Sequence, residues 1–289
     1  MNVTLTNGEL SVEIAELGAE LQRIQDREGR DWLWNGDPAY WKGRAPLLFP
    51  IVGRAAGDCI RVNGAPYCLP QHGLARISRF EPVETGATRC VMRLQSDEAT
   101  LAIYPFHFRL DVLYELDGSA LRVTATVGNA GQVPLPCAFG FHPAFRWPLP
   151  GAAPGATHEI LFERPENAPI RRLEGGYLSP VAHPTPVRDR RLVLDYGLFA
   201  DDAVIFDRLD SRSVVFRAVD GPEVELAFPD MPNLGVWTKP GAPFICIEPW
   251  QGFASPKDYE GELADRPGVV SIAPDEARSF GMTIGIRPA

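Results

Sequence analysis

The chain has no lysine-rich run, no basic helix and no apolar stretch of membrane-spanning length. Its 28 basic residues are outnumbered by 37 acidic ones, for a formal net charge of -9. That balance counts against nonspecific binding to nucleic acid or anionic membrane surfaces. The first residues, Met1-Asn2-Val3-Thr4, carry neither the basic nor the apolar segment of a secretory signal, so the expectation is a soluble cytoplasmic protein. Cysteine is sparse as well. The five present, Cys59, Cys68, Cys90, Cys137 and Cys246, are scattered and form no Cys-x-x-Cys. They fit a reducing compartment better than a disulfide framework, and none suggests a metal role.

Several chemical signatures are also missing. There is no Gly-x-x-x-x-Gly-Lys-Ser/Thr phosphate loop, no convincing dinucleotide loop, no Gly-x-Ser-x-Gly elbow and no His-Glu-x-x-His. Chemistry needing a nucleotide cofactor or a serine nucleophile is therefore unsupported, and no cofactor or metal is expected.

Turn residues and short alternating segments dominate what is there. The 27 glycines and 28 prolines are spread along the chain rather than pooled in a linker, and read as punctuation between many short strands. Asn7-Gly8 between residues 2–6 and 9–14, and Asp117-Gly118 further on, are hairpin signals. Alternation of period two recurs at 90–94, 108–114, 121–127, 213–219, 224–228, 244–247 and 280–286. Helical periodicity is weak; the best candidate is 257–264, bounded by Pro256 and Pro267. Residues 149–190 read as long surface loops. The expected architecture is a mostly antiparallel, all-β two-layer sandwich with very little helix, in a single domain spanning 1–289.

Two segments carry most of the chemistry. In Gly140-Phe141-His142-Pro143-Ala144-Phe145 an imidazole sits among aromatics, and its bland reading is a core histidine bonded to backbone. In Cys246-Ile247-Glu248-Pro249-Trp250, alternation puts Glu248 on the same face as Phe244 and Cys246, where a carboxylate needs a partner. Pro249 is expected to end the ladder and leave Glu248 at a strand end facing a cleft; the bland alternative is an ion pair with an arginine. Burial would raise the pKa of Glu248, and a nearby carboxylate would favour protonated His142. A third group lies in Phe49-Pro50-Ile51-Val52-Gly53-Arg54 and Gln71-His72-Gly73-Leu74-Ala75-Arg76, where Arg54, His72 and Arg76 can donate to hydroxyls, a carbonyl or a phosphate. Asp202 precedes the strand-like Ala203-Val204-Ile205-Phe206, with Asp201 as an alternative register. Trp237 is either core or a stacking wall. His107, His158 and His183 read as incidental, the last two in loops.

Taken in order, these segments resemble the aldose 1-epimerase (galactose mutarotase) family, most closely its LacX-like branch. The resemblance spans nearly the whole chain and implies a galactose mutarotase-like β-supersandwich and cofactor-free interconversion of the α and β anomers of an aldose. It implies Glu248 as base on the anomeric hydroxyl and His142 as acid on the ring oxygen, set on opposite sides of the hemiacetal. Arg54, His72 and Asp202 would position substrate. Gly53 and Leu74 stand where galactose mutarotases carry asparagine and glycine, so galactose specificity does not carry over. The His-Gly-x-Ala-Arg pattern is also similar to that of hexose-6-phosphate mutarotases, which leaves Arg76 either a phosphate ligand or a structural ion pair. Rival classes are a noncatalytic sugar-binding module and a metal enzyme using His72, His142 and Glu248. The expected partner is a small-molecule sugar, with no nucleic acid or membrane, on a monomer or homodimer.

Overall fold

A computed structural model describes residues 2–289. Two antiparallel sheets dominate it. The larger has nine strands in the spatial order Arg191–Val193, His158–Phe162, Ser213–Ala218, Glu223–Ala227, Ala277–Arg287, Ala120–Asn129, Phe108–Asp117, Arg89–Gln95 and Glu81–Thr85. The second runs Val204–Phe206, Asn233–Trp237, Phe244–Gln251, Phe139–Phe141 and Leu47–Leu48, and Ala144–Arg146 also pairs with Phe244–Gln251. A separate three-stranded sheet, Asn2–Thr6, Leu10–Ala15 and Leu21–Asp26, opens the chain.

Alternation in the sequence becomes sidedness in the large sheet. Along Phe108–Asp117 and Ala120–Asn129, and from Phe280 onwards in Ala277–Arg287, every second residue is buried. The inward faces of both sheets merge in one core: Leu110, Val112, Val123, Phe216 and Ile284 from the larger, with Phe206, Leu234, Val236, Ile245 and Ile247 from the smaller. Phe139 of the smaller sheet stacks on Phe280 of the larger, with centroids 5.1 Å apart, so an aromatic contact ties the layers directly beneath the His142 segment.

Phe244–Gln251 is the longest strand of the smaller sheet, and all eight of its residues are buried. Ile245 and Ile247 point into the inter-sheet core. Phe244, Cys246 and Trp250 belong to apolar clusters on the opposite face, and Glu248 shares that face by alternation.

Several expectations require correction. Residues 257–264 form no α-helix; a 3-10 turn covers Leu263–Asp265. Among the described residues the α-helix is Glu98–Ile103, whose N-cap Asp97 accepts from Thr100 N–H while Thr100 Oγ1 accepts from Asp97 N–H, a capping box built from Asp and Thr. The 149–190 stretch contains the strand His158–Phe162, paired on both edges. His158 is thus buried in a strand, with Nε2 accepting from Leu149 N–H. The first hairpin turns on Gly8 and Glu9, because Asn7 Oδ1 accepts the N–H groups of Glu9 and Leu10 and leaves Gly8 to adopt φ 87°. The second turns on Gly118 and Ser119, since Asp117 and Ala120 are still paired. Finally, Pro249 does not end its strand. It occupies a ladder position opposite Leu234 and the strand continues to Gln251.

Candidate active site

Phe139–Phe141 and Ala144–Arg146 lie along one edge of Phe244–Gln251, separated by His142 and Pro143. Gly140 pairs with Trp250 and Ala144 with Cys246. The same register carried across the gap sets His142 directly opposite Glu248. Cross-strand neighbours on one face approach closely, and here His142 Nε2 lies 3.2 Å from Glu248 Oε2, with both side chains buried. His142 Nδ1 is buried without a hydrogen-bond partner. The imidazole thus faces a carboxylate, and the carboxylate's neighbour is an imidazole rather than the arginine of its bland reading.

The pair opens into a cavity of about 520 Å³ whose lining includes all seven residues singled out in the sequence: Arg54, His72, Arg76, His142, Asp202, Trp237 and Glu248. That volume suits a single small ligand. Trp237 is half-buried and stands edge-on to His142 with centroids 6.2 Å apart. It is therefore a wall rather than core.

Trp250 supplies the floor. A Cβ at Gly235 would come within 2.3 Å of the Trp250 ring, and one at Gly140 within 2.6 Å of it. The two glycines flank Trp250 on either neighbouring strand and let the indole lie flat. Its Nε1 is buried and lies close enough to Glu248 to act on that carboxyl.

Electrostatics follow from burial. Glu248 is pushed well above the usual carboxylate range, first by desolvation and then by the charge of Asp202, against a downward pull from the Trp250 N–H. His142 is pushed well below the usual imidazole range by desolvation, with further contributions from His72 and Arg76. The expectation of a protonated His142 is thus reversed, because desolvation dominates and Glu248, itself pushed towards its neutral form, supplies no opposing charge. Both groups favour their neutral forms, so the pair carries one titratable proton, on the carboxyl. They also sit side by side, not on opposite sides of a gap.

The remaining residues reach the cavity from loops. His72 adopts φ 67°, and its Nδ1 accepts from Gly53 N–H at 3.1 Å. Nε2 therefore carries the hydrogen when the ring is neutral, and burial holds its pKa down to about 3. Asp202 adopts φ 66° and its Oδ1 accepts from Ala203 N–H at 2.7 Å. Between the two carboxylates left open by the sequence, Asp202 lines the cavity.

The two arginines differ. Arg54 places Nε and Nη2 on the Asp58 carboxylate at 2.6 and 2.7 Å, donates Nη1 to Gly175 O at 3.2 Å and lies over the Tyr177 ring. Arg76 is exposed at the cavity mouth and has no ion pair among the described residues, so the structural ion pair considered for it is not formed.

Sequence reading missed Trp41, stacked on the His142 ring at 4.9 Å. It also missed Asp58 and the small hairpin of Leu173–Glu174 and Tyr177–Leu178, whose Gly175 and Gly176 line the cavity. Trp41 sits in a loop with no periodic signal; Asp58 could have been suspected as the residue four after Arg54. The metal alternative changes membership, since the ligand atoms lying within 4.8 Å of one another are those of His142, Cys246 and Glu248, without His72. Burial raises the Cys246 thiol far from thiolate formation, which fits a packing role beside the pair.

A two-layer antiparallel sandwich holding a buried histidine–carboxylate pair in a sugar-sized, aromatic-walled cavity defines the galactose mutarotase-like class. The profile of the family described as aldose 1-epimerase matches residues 1–261. Protein LacX, chromosomal, of Lactococcus lactis subsp. lactis is 33% identical over 298 residues, covering 98% of this chain and 99% of that one. A solved galactose mutarotase related enzyme from Lactobacillus acidophilus superposes with TM-score 0.91 at 29% identity, covering 99% of this chain and 97% of that one. A galactose mutarotase-like protein from Lactobacillus casei ATCC 334 gives the same TM-score at 26% identity over 99% of this chain and 100% of its own. The chain belongs to the aldose 1-epimerase family and is similar to its LacX members.

Proposed function

We propose that this protein is an aldose 1-epimerase that interconverts the α and β anomers of an aldose by general acid/base catalysis at His142 and Glu248. The observation that carries this reading is their contact at 3.2 Å, buried, at one end of the cavity. The hydroxyl and ring oxygens of a hemiacetal share one carbon, so adjacent groups can address both. Ring opening takes a proton from the C1 hydroxyl and gives one to the ring oxygen. The pair returns with the same proton count, which makes its singly protonated form the productive one. Following the family, Glu248 acts as base and His142 as acid, which requires the proton that burial keeps on Glu248 to pass to His142 within the pair before ring opening. The open aldehyde turns about C1–C2 and closes on the other face with the roles reversed. Each group contributes about 10²- to 10⁴-fold, and positioning of the sugar supplies the rest. His72 Nε2–H, Asp202 and Arg54 face the same cavity as candidate partners for ring hydroxyls, and Trp250 and Trp237 offer apolar faces to the sugar ring.

The test is an anomerisation screen by polarimetry and NMR exchange over free and phosphorylated aldoses. Faster equilibration of at least one sugar is expected. Binding without any acceleration would instead assign the site to a sugar-binding module.

The state of Arg76 favours a second reading of the substrate. A guanidinium at the cavity mouth without a counter-ion suits an anionic group on the sugar. A preference for the 6-phosphate that vanishes in Arg76→Ala would establish it, and equal rates on free and phosphorylated sugars would remove it.

A further inference from the structure

The hairpin of Cys59–Val62 and Ala65–Cys68 turns on Asn63 and Gly64, at φ 51° and 78°. Two successive positive φ values define the two-residue turn that matches strand twist. Directly opposite residues in such a hairpin alternate between hydrogen-bonded and non-hydrogen-bonded pairs, starting from the bonded pair at the turn. Val62 and Ala65 are that first pair. Pro66, which has no N–H to give, then falls in the non-bonded pair with Arg61. Counting on, Cys59 and Cys68 also fall in a non-bonded pair, where side chains approach most closely. One step beyond, Leu69 N–H donates to Asp58 O at 3.0 Å, as the alternation requires.

The two sulfurs lie 2.6 Å apart. Cys68 is exposed and Cys59 partly so, whereas Cys90, Cys137 and Cys246 are buried. We propose that Cys59 and Cys68 are a modification site, a dithiol that closes to a cross-strand disulfide in exchange with a low-molecular-weight disulfide of the glutathione class.

The exposed Cys68 sulfur, as thiolate, attacks one sulfur of the oxidised reagent, forming a mixed disulfide and releasing one thiolate. Cys59 then attacks the Cys68 sulfur, forming the Cys59–Cys68 bond and expelling the second thiolate. One S–S bond is broken in the reagent and one is made in the protein. The two protons lost from the cysteines end on the two released thiols. The neighbouring sulfur outcompetes any second reagent molecule, because the step is intramolecular with the reacting atoms already in contact. The bond forms one residue from Asp58, the carboxylate that holds Arg54 at the cavity. Oxidation therefore staples the strand that begins directly after the turn carrying Asp58.

The full-length, fully reduced protein is incubated with glutathione disulfide, denatured in N-ethylmaleimide and digested for peptide mass mapping, a readout independent of any sugar chemistry. Alkylatable thiols should fall from five to three, with a linked peptide joining positions 59 and 68, a mass loss of two hydrogens and two glutathione thiols released per chain. Cys59→Ser should retain a stable glutathione adduct on Cys68. A persistent glutathione adduct on the unmodified sequence, a link between two chains, or five alkylatable thiols after exposure would each overturn the proposal.

Discussion

His142 and Glu248 form a cross-strand pair: the ladder that joins Gly140 to Trp250 and Ala144 to Cys246 brings their side chains face to face at 3.2 Å. The pairing is interrupted around His142-Pro143, yet the register on either side of the interruption is the same. Backbone geometry alone thus delivers the contact on which the proposed chemistry rests.

From this contact, His142→Asn and Glu248→Gln should each slow anomerisation about 10²- to 10⁴-fold on a sugar the protein turns over. The double variant should be little slower than the worse single one, since groups acting as a unit are non-additive. Thermal melts should show folded variants. Replacing both buried ionisable groups removes a desolvation cost and need not destabilise. Near-normal anomerisation in both single variants would remove the assignment.

The same pair makes a stability prediction. Unfolded, Glu248 and His142 titrate near their ordinary values of 4.5 and 6.5. Folded, the raised carboxyl and lowered imidazole keep one proton between them. From 4.5 to 6.5 the unfolded pair also carries one proton, on the histidine, so the pair contributes no slope there. Above 6.5 the unfolded pair carries none and the folded pair one, and stability falls with rising pH. Below 4.5 the unfolded pair carries two, and stability falls with falling pH. Each limb has a limiting slope of about 1.4 kcal/mol per pH unit. Urea unfolding across pH should show both limbs weakened in the His142→Asn, Glu248→Gln double variant. An unchanged profile would mean that the pair is not the titrating element.

Much of this was legible in sequence because strand alternation is a local property. The runs at 108–114, 121–127 and 280–286 became central strands, and all seven chosen side chains face the cavity. What could not be read was register between distant segments. Nothing local says that His142 falls opposite Glu248, or that Pro249 sits inside a ladder whose partners tolerate its missing N–H. The pKa of His142 was misjudged for the same reason: a partner's charge can be guessed from residue type, but the desolvation that reverses its effect depends on how deeply three strands and Trp41 bury the ring. The helix at Glu98–Ile103 was missed because its capping box uses Asp and Thr on a segment too short to show periodicity.

Asp58→Asn tests the support of Arg54. The ion pair is well exposed, so its loss should leave the melting temperature nearly unchanged. The guanidinium loses the carboxylate that orients Nε and Nη2, which should raise KM while sparing kcat if Arg54 binds sugar in ground and transition states alike. A fall in kcat with constant KM would place Arg54 closer to the reacting atoms than its position suggests.

Gly235→Ala tests the floor of the cavity. Gly235 pairs with Glu248 across the strand, and a methyl there would lie 2.3 Å from Cη2 and 2.5 Å from Cζ2 of Trp250. The indole cannot slide the other way, because its Cδ1 already occupies the space a Cβ would take at Gly140. It must tilt into the cavity, and overpacking of this kind costs about 1–3 kcal/mol. Urea unfolding should register that loss, tryptophan fluorescence should shift, and sugar turnover should drop because the tilted ring fills the space beside Glu248. Gly128→Ala is the control: it lies within Ala120–Asn129, and its nearest atom would be an ordinary 3.7 Å away. That substitution should be neutral or slightly stabilising through the unfolded chain. If the two alanines behave alike, Trp250 is not pinned between its glycines and the floor of the site must be assigned elsewhere.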